Sequence, residues 1–382
     1  MIVVIADDLT GAAEVAGAAH LLGLTAEVHI DKLLPSDCDV LIVDANSRSC
    51  ATASAADIVR EITCQALQAE PELLFKKVDS VLRGPVAAEL KAMRLALGAS
   101  RTFLVNANPR KGRTVIGGCL AIDGQPLELT TFASDPEHPR TTSRIVDLLC
   151  VSASQIAFVA PGDKLPAAEI CVGLASHESD LLAHAQSFYG GQLGGQQAQQ
   201  TLLAGGGEFF EALLCALVKK SPERPMPGPV AILRIDPDTL LIGGSSNCSA
   251  SAWPHVTFNW LAKPSEVASE VRCEMMRSGH VALRGSQDFT GGAETRTAKL
   301  TAVAREACLS CRPQHVWIEG GRTASQLVRA LGYQRLTTTA VHGDGVVRLA
   351  VAGQVAPSLI LKPGSYGWPI ALAQAPANVE AT

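Results

Sequence analysis

The sequence predicts an α/β protein of two domains, each a mainly parallel sheet flanked by helices. Short apolar runs alternate with helical patterns in both halves of the chain, which is typical of βαβ units. The chain has 382 residues, more than a single core usually organises. Residues 221–229 contain four prolines and resemble a linker. We therefore expect the boundary near residue 225, with domains at 1–225 and 226–382.

The elements follow from the apolar runs. The first strand, residues 2–6, runs into an Ala-rich helical pattern that reaches Leu22. Pro85 and Gly98 mark the start and end of another helix, because proline suits the first helical turn and glycine stops a helix. The other predicted strands are 26–30, 40–43, 73–78, 102–105 and 156–159 in the first half, and 231–235, 240–242, 256–258, 280–283, 315–319 and 359–362 in the second.

Composition narrows the class of partner. The formal net charge is -5 and the pI is near 6.0, which argues against a nucleic-acid or anionic-membrane binder and favours a small-molecule partner. The chain starts on a strand without a basic leader, and it contains no run of about 18 apolar residues. We therefore expect a soluble, cytoplasmic protein. The sequence leaves the oligomeric state open, with a homo-oligomer as one alternative.

Two adjacent acids, Asp7 and Asp8, come directly after the first predicted strand. In open α/β sheets small ligands bind beyond the carboxyl ends of the strands, so these acids are candidates for catalysis or ligand capture. The alternative is capping, in which Thr10 or either acid satisfies backbone N–H groups at the helix start. Because neighbouring carboxylates repel each other, the second acid needs a helix N-terminus, a cation or a hydrogen-bonding substrate. We expect a functional role for at least one of them.

Polar and cationic side chains also follow the third, fourth and fifth strands. A bidentate arginine fixes a carboxylate, and a free carboxylate orients or deprotonates a hydroxyl, so the set suits a hydroxy-acid substrate. Lys76 and Lys77 alternate along a strand, and we favour Lys77, on the side of Asp79. Each member alone is also typical of a surface charge or a structural ion pair. The set comprises Arg48, Lys76, Lys77, Asp79, Ser80, Arg83, Arg110, Lys111 and Arg113.

Three glycine-bearing turns follow predicted strands of the second half, at residues 243–246, 320–324 and 362–367. Glycines let the backbone approach an anion closely, while free N–H groups and the positive end of a helix dipole bind it. A tight turn without a ligand is the alternative for any single segment. Three such turns in one domain favour a nucleotide site, although neither the P-loop pattern nor the dinucleotide fingerprint is present.

Taken in order, these segments resemble the four-carbon acid sugar kinases, which phosphorylate threonate, erythronate or 3-oxo-tetronate with ATP. The resemblance covers almost the whole chain. Its segments are IADDLTGA at 5–12, NSRS at 46–49, KKVDSVLRG at 76–84, NPRKGRTVIGG at 108–118, FASDPEHP at 132–139, GGRTA at 320–324 and LKPGSYG at 361–367.

The resemblance implies a substrate domain followed by a nucleotide domain, with the reacting groups meeting in the cleft between them. It implies that Asp7 or Asp8, Arg48 and the segment from Lys77 to Ser80 contact the sugar acid. The residues implied to contact ATP are Ser245, Gly320, Gly321, Arg322, Thr323 and Gly364.

The sequence therefore predicts a kinase that transfers the γ-phosphate of ATP, with Mg²⁺, to a hydroxyl of a small sugar acid. Asp7, Asp8 or Asp79 is the expected base. Arg48 and Lys77 are expected to hold the substrate carboxylate and hydroxyls, with Ser80 and Arg83 completing the substrate-binding set. No metal-ligating residue is assigned.

Two alternatives remain. Arg322 stands where the family usually has an acid, and the Ser245 loop lacks the Thr and Gln that normally follow. These departures favour a sugar-acid and nucleotide-binding protein without turnover. A phosphatase of the haloacid dehalogenase type is the weaker alternative, because Ala6 occupies the place of its aspartate nucleophile.

Overall fold

The computed structural model describes residues 1–135, 137–189, 200–218, 230–244, 253–343, 345–364 and 367–368. The chain divides into two compact units, Met1–Pro227 and Gly228–Thr382. The predicted linker at 221–229 lies outside the described residues, so a boundary near residue 225 stays a prediction.

The first unit is built on a large sheet of parallel strands. Along the chain, its strands are β1 Ile2–Ala6, β2 Ala26–Ile30, β3 Val40–Asp44, β4 Leu73–Lys77, β5 Arg101–Val105, β9 Ile156–Val159, β10 Ile170–Gly173 and β11 Thr201–Gly205. In space the order is β2-β3-β1-β4-β11-β5-β10-β9, and each neighbouring pair is parallel. All five residues of β1 are buried, as expected for a strand covered on both faces.

Helices connect these strands, and a small antiparallel sheet branches from them. The helices are α1 Leu9–Leu21, α2 Thr52–Leu67, α3 Val86–Leu97, α4 Ile145–Leu148, α5 Glu178–Tyr189 and α6 Gly207–Val218. The small sheet comprises β6 Arg113–Ile116, β7 Cys119–Ile122 and β8 Gln125–Pro126. Short 3-10 turns occur at Pro109–Lys111, Leu127–Leu129 and Thr131–Ser134.

The second unit repeats the architecture with a mixed sheet. Its strands are β12 Thr239–Gly243, β13 His255–Phe258, β14 His280–Gly285, β15 His315–Glu319, β16 Arg335–Val341, β17 Val347–Val351 and β18 Ser358–Lys362, and its helices are α7 Pro264–Ser278, α8 Ala293–Cys311 and α9 Gly321–Ala330. The order is β13-β14-β12-β15-β18-β17-β16. Among the described strands, β17 runs antiparallel to β16 and β18, whereas β12, β15 and β18 are parallel and bring their carboxyl ends to one edge.

The predicted α/β class is confirmed, and one predicted strand is wrong. Residues 231–235 form no ladder: Ala231 N donates to Val341 O at 2.7 Å, and Leu233 and Ile235 pack on the core of the second unit. The apolar run that predicted a strand therefore reflects packing without strand pairing. Strands β6–β8, β10, β11, β16 and β17 were not predicted from the sequence.

Within the described parts of the chain, none of the helices has the length and apolar composition that crossing a membrane requires.

Candidate functional site

The first candidate site lies where β3, β1 and β4 end. These three strands are neighbours, and the register pairs Ala6 with Asp44 on one side and with Lys77 on the other. The residues that follow each strand therefore meet at one edge of the sheet. We call the group Asp7, Asp8, Arg48, Lys77, Asp79 and Arg83 the acid–arginine edge.

Arg48 binds both acids that follow β1. Its Nε and Nη2 donate to Asp7 Oδ2 at 2.8 Å and Oδ1 at 3.0 Å, and its Nη1 and Nη2 donate to Asp8 Oδ2 at 2.7 Å and Oδ1 at 2.8 Å. The backbone N–H of Arg48 donates to Asp7 O at 3.2 Å. A substrate carboxylate bound by Arg48 would have to replace one of these two acids.

Asp8 is also the N-cap of α1. Its backbone is extended, its Oδ1 accepts from Gly11 N at 2.8 Å, and its Oδ2 accepts from the Thr10 hydroxyl at 2.6 Å. The capping alternative therefore holds for Asp8, and the cation that a second acid requires is Arg48. Asp8 is half-buried whereas Asp7 is buried, so Asp8 is the more accessible of the two carboxylates.

The two lysines of β4 bind carboxylates on different helices. Lys77 Nζ lies 3.1 Å from Oε2 of Glu14 on α1, and Lys76 Nζ lies 3.1 Å from Oε2 of Glu89 on α3. Lys77 is thereby held at the start of α1, next to the acid pair. Lys76 and Glu89 form a buried pair between β4 and α3.

Asp79 forms the next ion pair of the edge. It accepts from Arg83 Nε at 2.9 Å and Arg83 Nη2 at 3.0 Å, and its Oδ1 lies 4.0 Å from Arg48 Nη2. Arg83 Nη1 also donates to Asp135 at 3.1 Å. The Ser80 hydroxyl accepts from Arg113. The carboxylates and guanidinium groups therefore form one connected network.

Electrostatics keep the network ionised. Burial alone would raise the pKa of Asp7, but the Arg48 guanidinium, Lys76 and Lys77 outweigh it and lower that pKa. Burial acts in the same direction on Asp79, yet Arg83 and then Arg48 hold its pKa well below the usual value. Both Asp7 and Asp79 are thus ionised at neutral pH and are poor proton acceptors.

The structure brings together most, but not all, of the predicted first site. Arg110 lies elsewhere: its Nε is 3.2 Å from Glu208 Oε1, and it also pairs with Glu211. Sequence reasoning missed Glu14, Glu89 and Asp135 as partners. Each lies in a different element from its cation, and no spacing rule connects such pairs.

The second candidate site is formed by glycine turns at the ends of β12, β15 and β18. The register pairs Gly243 with Glu319 and Glu319 with Lys362, so the turns that follow are adjacent. Gly244 N donates to Glu319 O, and Gly320 N donates to Lys362 O, both at 3.0 Å. We call Gly243, Gly244, Gly320, Gly321 and Gly364 the glycine edge.

The geometry of this edge requires glycine at two positions. A Cβ on Gly244 would lie 2.1 Å from Thr323 Oγ1 and 2.7 Å from Glu319 O, so only glycine permits this approach. Gly320 has a φ of 103° and is the N-cap residue of α9, where it has no side chain to cap the helix. The first turn of α9, which contains Arg322 and Thr323, therefore presents backbone N–H groups at the strand ends.

A buried ion pair joins the last residues of β15 and β18, directly before the glycine edge. Lys362 Nζ lies 3.3 Å from Glu319 Oε1, and both side chains are 1% exposed. Trp368 Nε1 donates to Glu319 Oε2 at 3.2 Å. The pair fixes the ends of β15 and β18 relative to each other. Ser245, also predicted for ATP binding, lies outside the described residues.

The carboxylates do not form a metal centre. Within the described ranges, no cluster of three or more His, Cys, Asp or Glu side chains could hold a metal ion. Asp7, Asp8 and Asp79 bind guanidinium groups instead. Mg²⁺ that accompanies a nucleotide takes most of its ligands from phosphate and water, so we assign no residue of the acid–arginine edge to it.

Comparison with known proteins gives the class. Residues 2–207 match the family described as the sugar-binding N-terminal domain. A D-threonate kinase of Bordetella bronchiseptica is 37% identical over 169 residues, which is 42% of each protein. The chain therefore spans less than half the length of that relative in the alignment. A 3-oxo-tetronate kinase of Methylobacterium radiotolerans is 24% identical across 95% of both proteins.

Solved structures share the fold. A Haemophilus influenzae protein has a TM-score of 0.70 at 17% identity and covers 96% of this chain and 97% of its own. A Bordetella bronchiseptica domain of unknown function, solved as a domain-swapped dimer with bound citrate, has a TM-score of 0.51 at 25% identity and covers 97% of this chain and 96% of its own.

The fold and the matches define an α/β protein whose residues 2–207 match the sugar-binding N-terminal domain family. The chain belongs to the family of the sugar-binding N-terminal domain, and its predicted resemblance to the four-carbon acid sugar kinases is confirmed.

Proposed function

We propose that the protein is an ATP-dependent kinase that phosphorylates a hydroxyl of a four-carbon sugar acid of the threonate, erythronate or 3-oxo-tetronate type. The observation that carries the proposal is the pairing of Arg48 with Asp8 at a strand-end edge inside a sugar-binding domain. The names of the relatives and the citrate bound to the Bordetella domain support an organic acid as the ligand.

In this proposal Asp8 is the general base. Asp7 and Asp79 are buried and have lowered pKa values, so they serve to hold Arg48 and Arg83. Asp8 is more accessible and already accepts a hydroxyl, that of Thr10, on Oδ2. A substrate hydroxyl that replaces Thr10 there gives its proton to Asp8 as its oxygen bonds to the γ-phosphorus and the bond to ADP breaks.

The cations of the acid–arginine edge position the carboxylate of Asp8 and neutralise its negative charge. Arg48 fixes the rotamer of Asp8 through two hydrogen bonds, and Lys77 places a positive charge beside the same acid. Ser80 and Arg83 complete the substrate-binding set that the sequence predicts. ATP is assigned to the glycine edge with Gly320, Gly321, Arg322, Thr323 and Gly364, where amides and a helix N-terminus suit phosphate. Mg²⁺ is included only as the companion of the nucleotide.

The proposal is tested by ADP release from ATP over a panel of four-carbon acids, with erythritol and threitol as uncharged controls. We expect release with at least one acid, and a much lower kcat/KM for the polyols. If the acids bind but none of them causes ADP release, the proposal is overturned and the alternative below is favoured.

The alternative is a sugar-acid and nucleotide-binding protein without turnover. Arg322 favours it, because this cation lies in the first turn of α9 where the family usually has an acid. Calorimetric binding of an acid and of ATP without ADP release is the result expected of such a protein.

A further inference from the structure

Residues 132–135 and 137–140 belong to a loop that contacts the acid–arginine edge through Asp135 and contains none of the residues assigned to the site above. Arg140 N donates to Phe132 O at 2.9 Å and closes the loop. Asp135 ties it to Arg83, and Glu137 accepts from the Ser49 hydroxyl at 3.1 Å. The loop is thus fixed to the segments that follow both β3 and β4.

Arg140 differs in its partners from Arg48 and Arg83, the two arginines of this edge. Arg48 binds Asp7 and Asp8, and Arg83 binds Asp79 and Asp135. The half-buried Arg140 donates only to carbonyl oxygens, from Nε to His138 O at 2.9 Å and from Nη1 to Leu82 O at 3.0 Å. Among the described residues, no carboxylate lies within 4.0 Å of it, and its Nη2 has no hydrogen-bond acceptor.

His138 adds a second polar group to the same loop. Its Nε2 is buried without a hydrogen-bond partner in the described chain. Burial and the neighbouring Arg140 lower the pKa of His138, so the imidazole is neutral at physiological pH. A buried polar atom without a partner costs free energy unless a ligand supplies one.

The charges of the edge are therefore unequal. Asp7 and Asp8 share one guanidinium group, that of Arg48, whereas no carboxylate of the described residues pairs with the half-buried Arg140. Burial lowers the pKa of Arg140 and repulsion by Arg83 adds to this effect, whereas the more distant Asp79 and Asp135 offset it only in part. A hydroxy acid has the complementary pattern, with an anionic end and a hydroxyl end.

We infer that Arg140 and His138 form the carboxylate subsite of the substrate. In this subsite Arg140 Nη2 donates to a carboxylate oxygen and His138 Nε2 hydrogen-bonds the same end of the molecule. The hydroxyl end then points along Arg83 and Asp79 toward Arg48 and Asp8. This inference rests on the proposed function and transfers recognition of the acid from Arg48, whose donors are already engaged, to Arg140.

The test compares an acid with its matching polyol in Arg140→Gln. The probes are D-erythronate with erythritol and D-threonate with threitol, measured by calorimetry and by ADP release. We expect the Kd of the acid to rise about 10- to 100-fold, because a charge-assisted hydrogen bond is lost, while kcat/KM for the polyol is unchanged. Arg140→Lys should restore part of the affinity for the acid.

Arg144→Gln is the matched control, since the Arg144 side chain is 68% exposed and pairs with Asp147, three residues later in the sequence. It should leave both ligands unaffected. Equal losses for acid and polyol in Arg140→Gln, or an unchanged Kd for the acid, would overturn the subsite, as would failure of the wild-type protein to bind any of the acids. Binding of an acid that depends on Arg140 without ADP release would overturn the proposed function and leave the subsite in place.

Discussion

Arg48 and Asp8 are 40 residues apart in sequence, yet two guanidinium nitrogens of Arg48 donate to the two carboxylate oxygens of Asp8 at 2.7 and 2.8 Å. The pairing exists because β3 and β1 are adjacent and parallel, so the turns that follow them share an edge. It fixes the orientation of the carboxylate that we propose as the base.

Replacement of that carboxylate should abolish turnover without loss of the fold. Asp8→Asn keeps the N-cap of α1, because asparagine caps as well as aspartate, but it cannot accept a proton. We expect kcat to fall about 100-fold or more. Asp57→Asn is the control, since Asp57 is 70% exposed and pairs only with Arg60. ADP release measures both; equal kcat for wild type and Asp8→Asn would remove Asp8 from the mechanism.

Removal of the Arg48 guanidinium should destabilise the first unit. Arg48→Gln leaves the buried Asp7 without its bidentate partner, and loss of one member of a buried ion pair typically costs about 3–5 kcal/mol. Arg60→Gln breaks an exposed pair and should cost under about 1 kcal/mol. Urea denaturation at pH 7 measures the free energy of unfolding. Equal losses in the two variants would contradict the assigned role of Arg48.

The stability should depend on pH through Asp7 and Asp79. Their folded pKa values lie below those of the unfolded chain, so their contribution is present above about pH 4 and is lost as pH falls through the folded values. Unfolding free energies of the wild type and of Asp79→Asn should therefore converge on acidification. A difference that stays constant from pH 7 to pH 3 would refute this linkage.

Glu208 should act in the opposite direction. Burial raises its pKa to about 6 despite Arg110, so the folded protein binds an extra proton between the unfolded pKa of 4.5 and 6. Its protonation stabilises the fold below that window, and the gain is lost as pH rises through 6. Relative to Glu208→Gln, the wild type should lose about 2 kcal/mol of unfolding free energy from pH 4 to pH 7.5. Parallel pH curves would show that Glu208 titrates normally.

The close approach of Gly244 to Thr323 predicts a nucleotide phenotype. Gly244→Ala places a methyl group 2.1 Å from Thr323 Oγ1, so the first turn of α9 must move. We expect the Kd for ATP, measured by calorimetry, to rise at least about tenfold, equivalent to about 1.4 kcal/mol. Gly292→Ala is the control, because a Cβ there meets nothing within 4 Å. Equal ATP affinity in the two variants would show that the glycine edge does not bind the nucleotide.

The sequence predicts the edges of the sheets better than the contacts within them. Asp7, Asp8 and Arg48 were predicted to lie at strand ends because apolar runs stop just before them. Their ion pairs follow from strand order, which no local pattern encodes. Glu14 and Asp135 lie on a helix and a loop that fold back onto the edge. For the same reason 231–235 was predicted as a strand: its pattern reports burial, and pairing depends on neighbours elsewhere in the chain.

The most direct test of the account follows phosphorus. Incubation of the protein with ATP, Mg²⁺ and the four-carbon acids in turn, monitored by ³¹P NMR, should yield with at least one acid one phosphomonoester for each ADP formed. Asp8→Asn should form both products about 100-fold or more slowly. Release of inorganic phosphate instead of a phosphomonoester, or an unchanged spectrum with every acid that binds, would contradict phosphoryl transfer to a sugar acid.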